Sequence, residues 1–413
     1  MGIDYLNSCM EKELDYLKSV DRYRELKSSS GIGISLLNED LNKLADRLSA
    51  ELLSFNSISA NETNNLNLND YLGIGRTGVL DEHISDLALR FPIGSHSSRL
   101  LGGNHEIFEA LENEVSNHLN KDSALYFNSG FNANETLANL LSFEGVSFFS
   151  DKLNHASIID GIRHSGFPKE KRQVFGHLDY NELESMLKAS ESKCNVIFCE
   201  AIYSMDGTKS DLSRLSSLAK KYNGVVIVDE AHSYGVVGKE GAGLYSQIKP
   251  SENFISVVTC GKAVATSGAF IIGNGILRDY LINKSRHFIY TTAPSPLVAA
   301  ATLLSIKIIR RSDELRNRLE TIASSFRDDL RKKQINIGNS ESHILPIITG
   351  CELSANSLAR KLLTKKITCG AIRPPTVPQG ESRVRISLHP GIGQNLLGNI
   401  ITTADAFAKE NSL

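Results

Sequence analysis

Short apolar runs alternate with helical patterns through the middle of the chain, and this alternation limits the fold more than any other feature. Val225–Val228 is apolar at every position and follows a helical stretch with leucines on one face, at Leu212, Leu215 and Leu218. A continuously apolar run predicts a strand covered on both faces. Strands that alternate with helices are typical of a parallel sheet. We therefore predict an α/β fold built on a mainly parallel sheet.

The same patterns divide the chain into three parts. The first part opens with an amphipathic helix over residues 4–27, and the last part offers strands near Ile344–Ile348 and Val384–Leu388. We predict an N-terminal helical arm, a large domain that carries the main sheet, and a smaller C-terminal α+β domain. The predicted bounds of these parts are residues 1–68, 69–296 and 297–413.

Charge and composition disfavour several classes of protein. The net charge is −2, and no basic cluster is interleaved with aromatic residues, so nucleic acid is not expected as a partner. No apolar run approaches the ~18–20 residues that cross a membrane. The six cysteines form no C-x-x-C pair, and no H-E-x-x-H occurs, so we expect reduced thiols in a cytoplasmic protein and no metal site.

An aspartate and a lysine follow two of the predicted strands. Asp229 comes directly after Val225–Val228, and Lys262 follows the apolar run Ile255–Cys260. The carboxyl ends of strands in an open sheet form its ligand-binding edge, so these side chains can converge. A carboxylate can pair with a pyridinium nitrogen and a lysine can form an imine, which together suggest pyridoxal 5′-phosphate (PLP). Alone, each residue has an ordinary reading, as a helix cap or a solvated strand end.

Three further polar segments occur in an order that fits a PLP site. Asn128–Asn134 opens a helical stretch, and the N–H groups at a helix start bind phosphate well. Asp151–Ser157 follows another short strand and contains His155, whose ring could stack on a flat cofactor. Glu200–Gly207 closes a fourth strand. Each segment alone would be read as a helix cap or a polar loop.

Taken together, these motifs resemble the α-oxoamine synthase family of fold-type I PLP enzymes. The segments SGFNAN, DKLNHAS, EAIYSMDG, VDEAHSYG, TCGKA and RHFIYTT occur in the order and approximate spacing of that family, from about Asn69 to His389. Ala371–Pro378, which reads AIRPPTVP, is similar to the 8-amino-7-oxononanoate synthases, the biotin branch of the family. The resemblance implies a PLP-dependent acyltransferase that condenses L-alanine with a pimeloyl thioester, carried by coenzyme A or a carrier protein.

Position and resemblance together imply roles around the PLP ring. Lys262 would form the imine and later remove the proton from the amino acid's Cα. Asp229 would pair with the pyridine nitrogen, and His232 would donate to the phenolic oxygen. His155 would stack on the ring face. Glu200 would lie close to the imine.

The resemblance also implies how the phosphate is held. The backbone N–H groups of Gly130 and Phe131 would bind it together with Thr259. Ser204 would help at the phenolic oxygen or contact the substrate. Thr292 would reach the phosphate of the other subunit, so we expect a homodimer with shared active sites.

Three residues are implied as substrate contacts. Arg385 would hold the amino-acid carboxylate, because a guanidinium can bind a carboxylate through two parallel hydrogen bonds. Arg383 would face the same way on an alternating strand, and the resemblance favours Arg385 over it. Arg373 would either meet the far carboxylate of the acyl substrate or brace its loop. Asn69, where the match begins, is also taken as a substrate residue.

Two alternatives remain open from the sequence. The chain could be another α-oxoamine synthase that uses glycine or serine and makes an aminoketone, a sphingoid base or a signalling amine. It could also be a non-catalytic partner subunit with the same fold. Such a subunit would be expected to lack its lysine, whereas Lys262 and Asp229 are both present.

Overall fold

A seven-stranded sheet forms the centre of the protein. The computed structural model describes residues 2–28, 34–54 and 64–411. The strand order is β1-β7-β6-β5-β4-β2-β3; β7 is antiparallel to its neighbours β1 and β6, and the other pairs are parallel. The prediction of a mainly parallel sheet is confirmed. The strands are β1 (Ser123–Phe127), β2 (Val146–Asp151), β3 (Arg172–Phe175), β4 (Cys194–Glu200), β5 (Gly224–Asp229), β6 (Phe254–Thr259) and β7 (Ala269–Gly273).

A second, three-stranded sheet lies in the C-terminal part of the chain. Its antiparallel strands are β8 (Ile344–Gly350), β9 (Gly370–Ile372) and β10 (Ser382–Ser387), in the order β8-β10-β9. Both strands predicted from the sequence in this region are present. Three helices pack with this sheet in one core and complete a small α+β unit: Asp313–Lys332, Glu352–Thr364 and Gln394–Asn411.

The strands of the central sheet are buried on both faces, because helices cover the sheet on each side. One-turn α-helices occur at Ile74–Thr77 and Arg286–Ile289. The longer helices outside the small C-terminal unit are Gly2–Ser19, Ile34–Ser54, Ile84–Ala88, Glu106–His118, Gly130–Leu140, Ala156–His164, Tyr180–Ala189, Leu212–Lys221, Gly275–Lys284 and Pro296–Arg310.

The N-terminal helix is shorter than its sequence pattern predicted. It ends at Ser19 rather than at residue 27, because Asp21 adopts the left-handed conformation (φ 54°) and the amide of Arg22 turns back to the carbonyl of Leu17. The predicted apolar face is confirmed, since Leu6, Met10, Leu14 and Leu17 are all buried.

The predicted three-part division stays a prediction, and one helix bears on its second boundary. Pro296–Arg310 packs against Ile34–Ser54 and Glu106–His118 and shares its core with residues of the central sheet. This packing favours a boundary after Arg310 rather than before it. Within the predicted N-terminal arm, residues 29–33 and 55–63 lie outside the described part of the chain.

The carboxyl ends of β4, β5 and β6 lie side by side. Glu200 at the end of β4 is in register with Asp229 at the end of β5, and Asp229 is in register with Val257 of β6. This edge of the sheet therefore gathers three of the polar segments singled out in the sequence. No helix in the described ranges is long and apolar enough to cross a membrane.

Candidate active site

A cavity of about 310 Å³ opens at the carboxyl ends of the central strands. Eight of the predicted site residues line it, and so all the predicted catalytic residues come together: Gly130, Phe131, His155, Glu200, Asp229, His232, Thr259 and Lys262. Asn134, Ser157 and Ser267 contribute further polar side chains. We call this cavity the cofactor pocket.

Lys262 lies on a tight loop that leaves the end of β6. The amide of Cys260 bonds to the carbonyl of Gly268, and the amide of Thr266 bonds back to Cys260, which closes the loop around the lysine. The ammonium donates to Oγ1 of Thr259 at 3.3 Å. Burial lowers the pKa of Lys262 below its ordinary value, although the nearby carboxyl groups oppose this shift. A lowered pKa increases the fraction of Lys262 that is present as the neutral, nucleophilic amine.

Asp229 is held from two sides. Its Oδ1 accepts from the amide of Ala231 at 2.9 Å, and its Oδ2 accepts from Nδ2 of Asn134 at 2.7 Å. The same amide nitrogen reaches Oγ of Ser157 at 3.0 Å. Asn134 was not singled out in the sequence. Its spacing of four residues from Gly130 on one helix is the signal that could have placed it on the pocket side.

His155 lines the cofactor pocket and keeps accessible surface there. It caps the helix Ala156–His164, where its Nδ1 accepts from the amide of Ser157 at 3.2 Å and lies 2.8 Å from the Oγ of that residue. Because Nδ1 is an acceptor, a neutral His155 carries its proton on Nε2. Burial lowers the pKa of His155, which favours the neutral ring. A neutral imidazole in the wall of the pocket suits stacking on an aromatic cofactor.

Glu200 is a buried acid beside the lysine. Its side chain is 2% exposed, and Oε1 has no hydrogen-bond partner within the described residues. Burial raises the pKa of Glu200 well above its usual range, and the charge of Asp229 adds to this rise. This shift favours the protonated carboxyl, which can donate a hydrogen bond to a ligand in the pocket.

The two arginines of β10 have different partners. Arg383 forms ion pairs with Asp206 at 2.6 Å and with Glu381 at 3.0 Å, so its charge is balanced. Arg385 donates only to neutral oxygens, namely the carbonyl of Ser204 and the side chains of three other residues: Asn69, Tyr71 and Ser387.

Arg385 is thus a buried cation without a counter-ion. It is 6% exposed, and no described carboxylate lies within ion-pair distance of it. A buried unpaired charge is costly, and an anionic ligand would relieve that cost. Arg385 also contributes to the lowered pKa values of Lys262 and His232, which places its charge close to the cofactor pocket.

A second, larger cavity of about 600 Å³ adjoins the first, since His155 lines both. We call it the outer cavity. Ser204 lines the outer cavity rather than the cofactor pocket, and Arg383 forms part of its polar wall. The segment Pro375–Pro378 covers it from the C-terminal part of the chain.

Five predicted residues do not line the cofactor pocket: Asn69, Ser204, Thr292, Arg373 and Arg385. Thr292 is exposed, and its carbonyl accepts from the side chain of Asn128 at 3.1 Å. Arg373 is also exposed and lines a separate surface groove beside the helix Glu352–Thr364. The structure therefore does not bring Arg373 to the catalytic residues.

The cofactor pocket fits PLP at each point where PLP needs a partner. The helix that starts at Gly130 directs unpaired N–H groups into it, as a phosphate requires. Gly130 has no room for a side chain, because a Cβ would lie 2.6 Å from Cγ2 of Thr259. Asp229 and Lys262 supply the carboxylate and the amine. Among the described residues, no group of three or more His, Cys, Asp or Glu could hold a metal ion.

Comparisons with known proteins identify the family of the chain. The family model described as "Aminotransferase class I and II" matches residues 61–402. A putative 8-amino-7-oxononanoate synthase from Geobacillus kaustophilus is 39% identical over 78% of this chain and 83% of its own length. An 8-amino-7-oxononanoate synthase from Marinobacter nauticus is 34% identical over 91% of this chain and 90% of its own length.

Solved structures show the same architecture. The 8-amino-7-oxononanoate synthase of Francisella tularensis is 27% identical, with a TM-score of 0.74 over 84% of this chain and 98% of its own. A structure of SPT with PLP is 25% identical, with a TM-score of 0.77 over 84% of this chain and 87% of its own.

Proposed function

Because the chain belongs to the aminotransferase class I and II family, we propose that it is a PLP-dependent acyltransferase of biotin biosynthesis. It condenses L-alanine with a pimeloyl thioester to give 8-amino-7-oxononanoate, carbon dioxide and the free thiol. The relatives named for this reaction align with most of the chain. The observation that carries the proposal is the buried, unpaired Arg385 beside the pocket of Lys262, because it fits a substrate with a carboxylate.

Several residues would hold PLP in the cofactor pocket. The N–H groups of Gly130 and Phe131 would bind the phosphate, with Thr259 beside them. Asp229 would pair with the pyridine nitrogen, and His155 would cover the ring. When bound, PLP supplies the electron sink that stabilises negative charge at the amino acid's Cα.

In this proposal, Lys262 accepts a proton and Glu200 donates a hydrogen bond. Nζ of Lys262 takes the proton from Cα, and its lowered pKa favours the neutral amine that this step needs. The raised pKa of Glu200 favours its protonated carboxyl, which would donate to an oxygen of the substrate. The opposite shifts of an amine and a carboxyl in one pocket are typical of acid–base sites.

Arg385 would bind the carboxylate of L-alanine after giving up some of its present contacts. Its Nη2 donates to Asn69 at 3.0 Å and to Tyr71 at 3.3 Å, and both contacts are to neutral oxygens. A carboxylate would form stronger, charge-assisted hydrogen bonds with the same groups. Asn69 would then act by orienting Arg385.

The outer cavity is the proposed route of the acyl thioester. It is lined largely by apolar atoms, and its volume of about 600 Å³ lies within the range of ligand sites. It reaches the cofactor pocket at His155, so a thioester carbonyl could approach the amino acid from this side. The cavity suits the thioester arm of coenzyme A and that of a carrier protein equally.

A homodimer in the cytoplasm is part of the proposal. Five exposed apolar or aromatic side chains lie on the segments around residues 89–101, 131 and 290, of which only Phe131 lines the cofactor pocket: Leu89, Ile93, Leu101, Phe131 and Tyr290. Hydrogen bonds join the segments that carry them, for example from the amide of Ala293 to the carbonyl of Ser97. Exposed apolar patches mark interfaces, and a second copy of the chain would cover this one. In that arrangement Thr292 would serve the partner's site.

A serine- or glycine-using synthase is the second candidate, supported by the structural similarity to SPT. An absorbance titration of the PLP-loaded protein with L-alanine, glycine and L-serine separates the candidates. We expect each amino acid to perturb the cofactor spectrum, and L-alanine to do so at the lowest concentration. Markedly tighter binding of serine or glycine would favour the second candidate. The absence of any cofactor spectrum would contradict both candidates.

A further inference from the structure

A surface groove of about 500 Å³ lies beside the helix Glu352–Thr364, and the proposed reaction gives it no role. One wall is formed by that helix, and the other includes Ala371 of the edge strand β9 and the side chain of Arg373. Arg373 is the only charged residue in the motif Ala371–Pro378. The groove thus holds a sequence feature that the proposed catalytic chemistry leaves unexplained.

The side chains that line this groove carry positive charge. Arg360 and Arg373 both line it and are exposed, and among the described residues no acidic side chain lines it. Neither arginine forms an ion pair with a described carboxylate. Nε of Arg360 donates to the carbonyl of Asn356 on its own helix at 3.3 Å, which leaves its charge unbalanced. We call this surface the basic groove.

The positive charge continues beyond the groove itself. Residues 356–373 contain five basic residues and no acidic residue. Of the five, Lys361 is paired with Glu410. Lys365 and Lys366 lie on the exposed turn between the helix and β9, and they have no ion pair within the described ranges. The surface therefore attracts a ligand with several negative charges rather than one.

Apolar side chains line the basic groove together with the arginines. Leu363 is 58% exposed, and Ala359 and Ala371 are half-buried. Ala359 and Leu363 are four residues apart, so they lie on the same face of the helix. An apolar surface bordered by basic residues matches an amphipathic helix that carries acidic residues beside its apolar face.

One tight turn joins the basic groove to the outer cavity. The amide of Thr376 donates to the carbonyl of Arg373 at 3.0 Å, and the first and last residues of such a turn lie within about 7 Å of each other. Arg373 lines the basic groove, and Thr376 lines the outer cavity. A partner bound in the groove is therefore next to the proposed route of the acyl thioester.

We propose that the basic groove is the docking surface for an acyl carrier protein. The carrier protein presents an acidic helix to the groove and passes its thioester arm into the outer cavity. This inference rests on the proposed function for the reaction, and it decides which of the two thioester carriers the surface fits. Attraction between opposite charges would also speed the encounter of the two proteins.

Coenzyme A matches the basic groove less closely than a carrier protein does. Its charge is concentrated in phosphate groups, for which unpaired N–H groups at a helix start are typical partners. The helix lines the groove only from Asn356 onward, after its first turn, where its N–H groups are used inside the helix. The exposed Leu363 would also gain little from phosphate. A protein helix uses both the charges and the apolar surface.

The first test compares two acyl donors that carry the same acyl group. Arg360→Glu reverses one charge in the basic groove at a residue outside the cofactor pocket. We expect it to raise the KM for the pimeloyl carrier protein by at least ~10-fold, because like charges then face each other. The KM for pimeloyl-CoA should keep its wild-type value. Leu363→Asp should have the same selective effect, and an unchanged KM for the carrier protein in Arg360→Glu would overturn the proposal.

Lys332→Glu is the matched control for this test. Lys332 is an exposed basic residue of the same C-terminal unit that does not line the basic groove, and its replacement changes the charge by the same amount. It should leave the KM for both donors unchanged. High salt should raise the KM for the carrier protein in the wild type more than in Arg360→Glu, because salt screens the attraction that this variant has lost.

A binding measurement separates this proposal from the proposed function. Fluorescence anisotropy of a labelled carrier protein whose arm bears no acyl group reports docking without any reaction. We expect the wild type to bind it and Arg360→Glu to bind it more weakly. Absence of binding, or an equal rise in KM for both donors, would overturn the proposal. Docking without product from L-alanine and either donor would contradict the proposed function alone.

Discussion

Nδ2 of Asn134 donates a hydrogen bond to Oδ2 of Asp229 at 2.7 Å. Asn134 belongs to the helix whose start forms the proposed phosphate site, and Asp229 ends β5. One side chain thus fixes the carboxylate proposed to face the pyridine nitrogen relative to the residues proposed to hold the phosphate.

The Asn134–Asp229 hydrogen bond predicts that substitution of the two residues lowers kcat by different amounts. Asp229→Asn should lower kcat by at least ~10²-fold, since a preorganised charge next to the electron sink is lost. Asn134→Ala should lower kcat by about 10-fold, because the carboxylate remains but loses one of its two donors. Steady-state kinetics on PLP-saturated protein checks both values. Asn139→Ala on the same helix is the control, and near-normal turnover of Asp229→Asn would show that another residue faces the nitrogen.

The different partners of the two β10 arginines predict different effects of their removal. Arg385→Ala should raise the KM for L-alanine by at least ~10-fold, because the substrate carboxylate loses its charge-assisted hydrogen bonds. Arg383→Ala should instead lower the melting temperature, since it leaves Asp206 and Glu381 without their cation. Kinetics and thermal unfolding of both variants separate the roles. A reversed pattern would assign the carboxylate to Arg383.

Acid sensitivity should come in part from His118. Burial lowers its pKa from 6.5 to about 4. Between these pH values the unfolded chain binds a proton that the folded chain does not, so the free energy of unfolding falls as the pH falls and levels off below about pH 4. The full effect is about 3 kcal/mol. Urea unfolding at several pH values should show a flatter slope for His118→Gln, and an unchanged slope would mean that His118 titrates freely when folded.

Dimer formation and PLP binding should be linked. If Thr292 serves the partner's site, removal of PLP should weaken the dimer, and Thr292→Val should weaken PLP binding. Leu101→Asp should disrupt the dimer and lower PLP affinity, because Leu101 is 84% exposed on the proposed interface. Sedimentation velocity with and without PLP is the measurement. Leu353→Asp, on an exposed residue of the C-terminal unit, is the control, and a fully active monomer would refute the shared site.

The sequence was most informative where a site residue directly follows a strand. Asp229 ends the apolar strand β5 and Lys262 follows shortly after the end of β6, so their meeting at one edge of the sheet follows from parallel topology. Glu200 and His155 follow strands in the same way. Because both faces of those strands are buried, the strands are mainly apolar in sequence. The positions of their ends could therefore be predicted from the hydrophobic pattern alone.

Residues placed by long-range contacts could not be predicted in this way. Tyr71 meets Arg385 only because the C-terminal sheet folds back onto the large domain, and no local pattern records that contact. The separation of Arg373 from the pocket depends on the same packing. The early end of the N-terminal helix has a local cause, since Asp21 turns left-handed although the polar pattern around it continues.

The most direct test of the proposed function is the identity of the product. Purified protein loaded with PLP is incubated with L-alanine and pimeloyl-CoA, with the pimeloyl carrier protein as a second acyl donor, and the product is identified by mass spectrometry. Lys262→Ala is the catalytic control. We predict 8-amino-7-oxononanoate, at a rate well above those with glycine and succinyl-CoA or with serine and palmitoyl-CoA. A higher rate with either of those pairs, or product formation by Lys262→Ala at the wild-type rate, would contradict the proposed function.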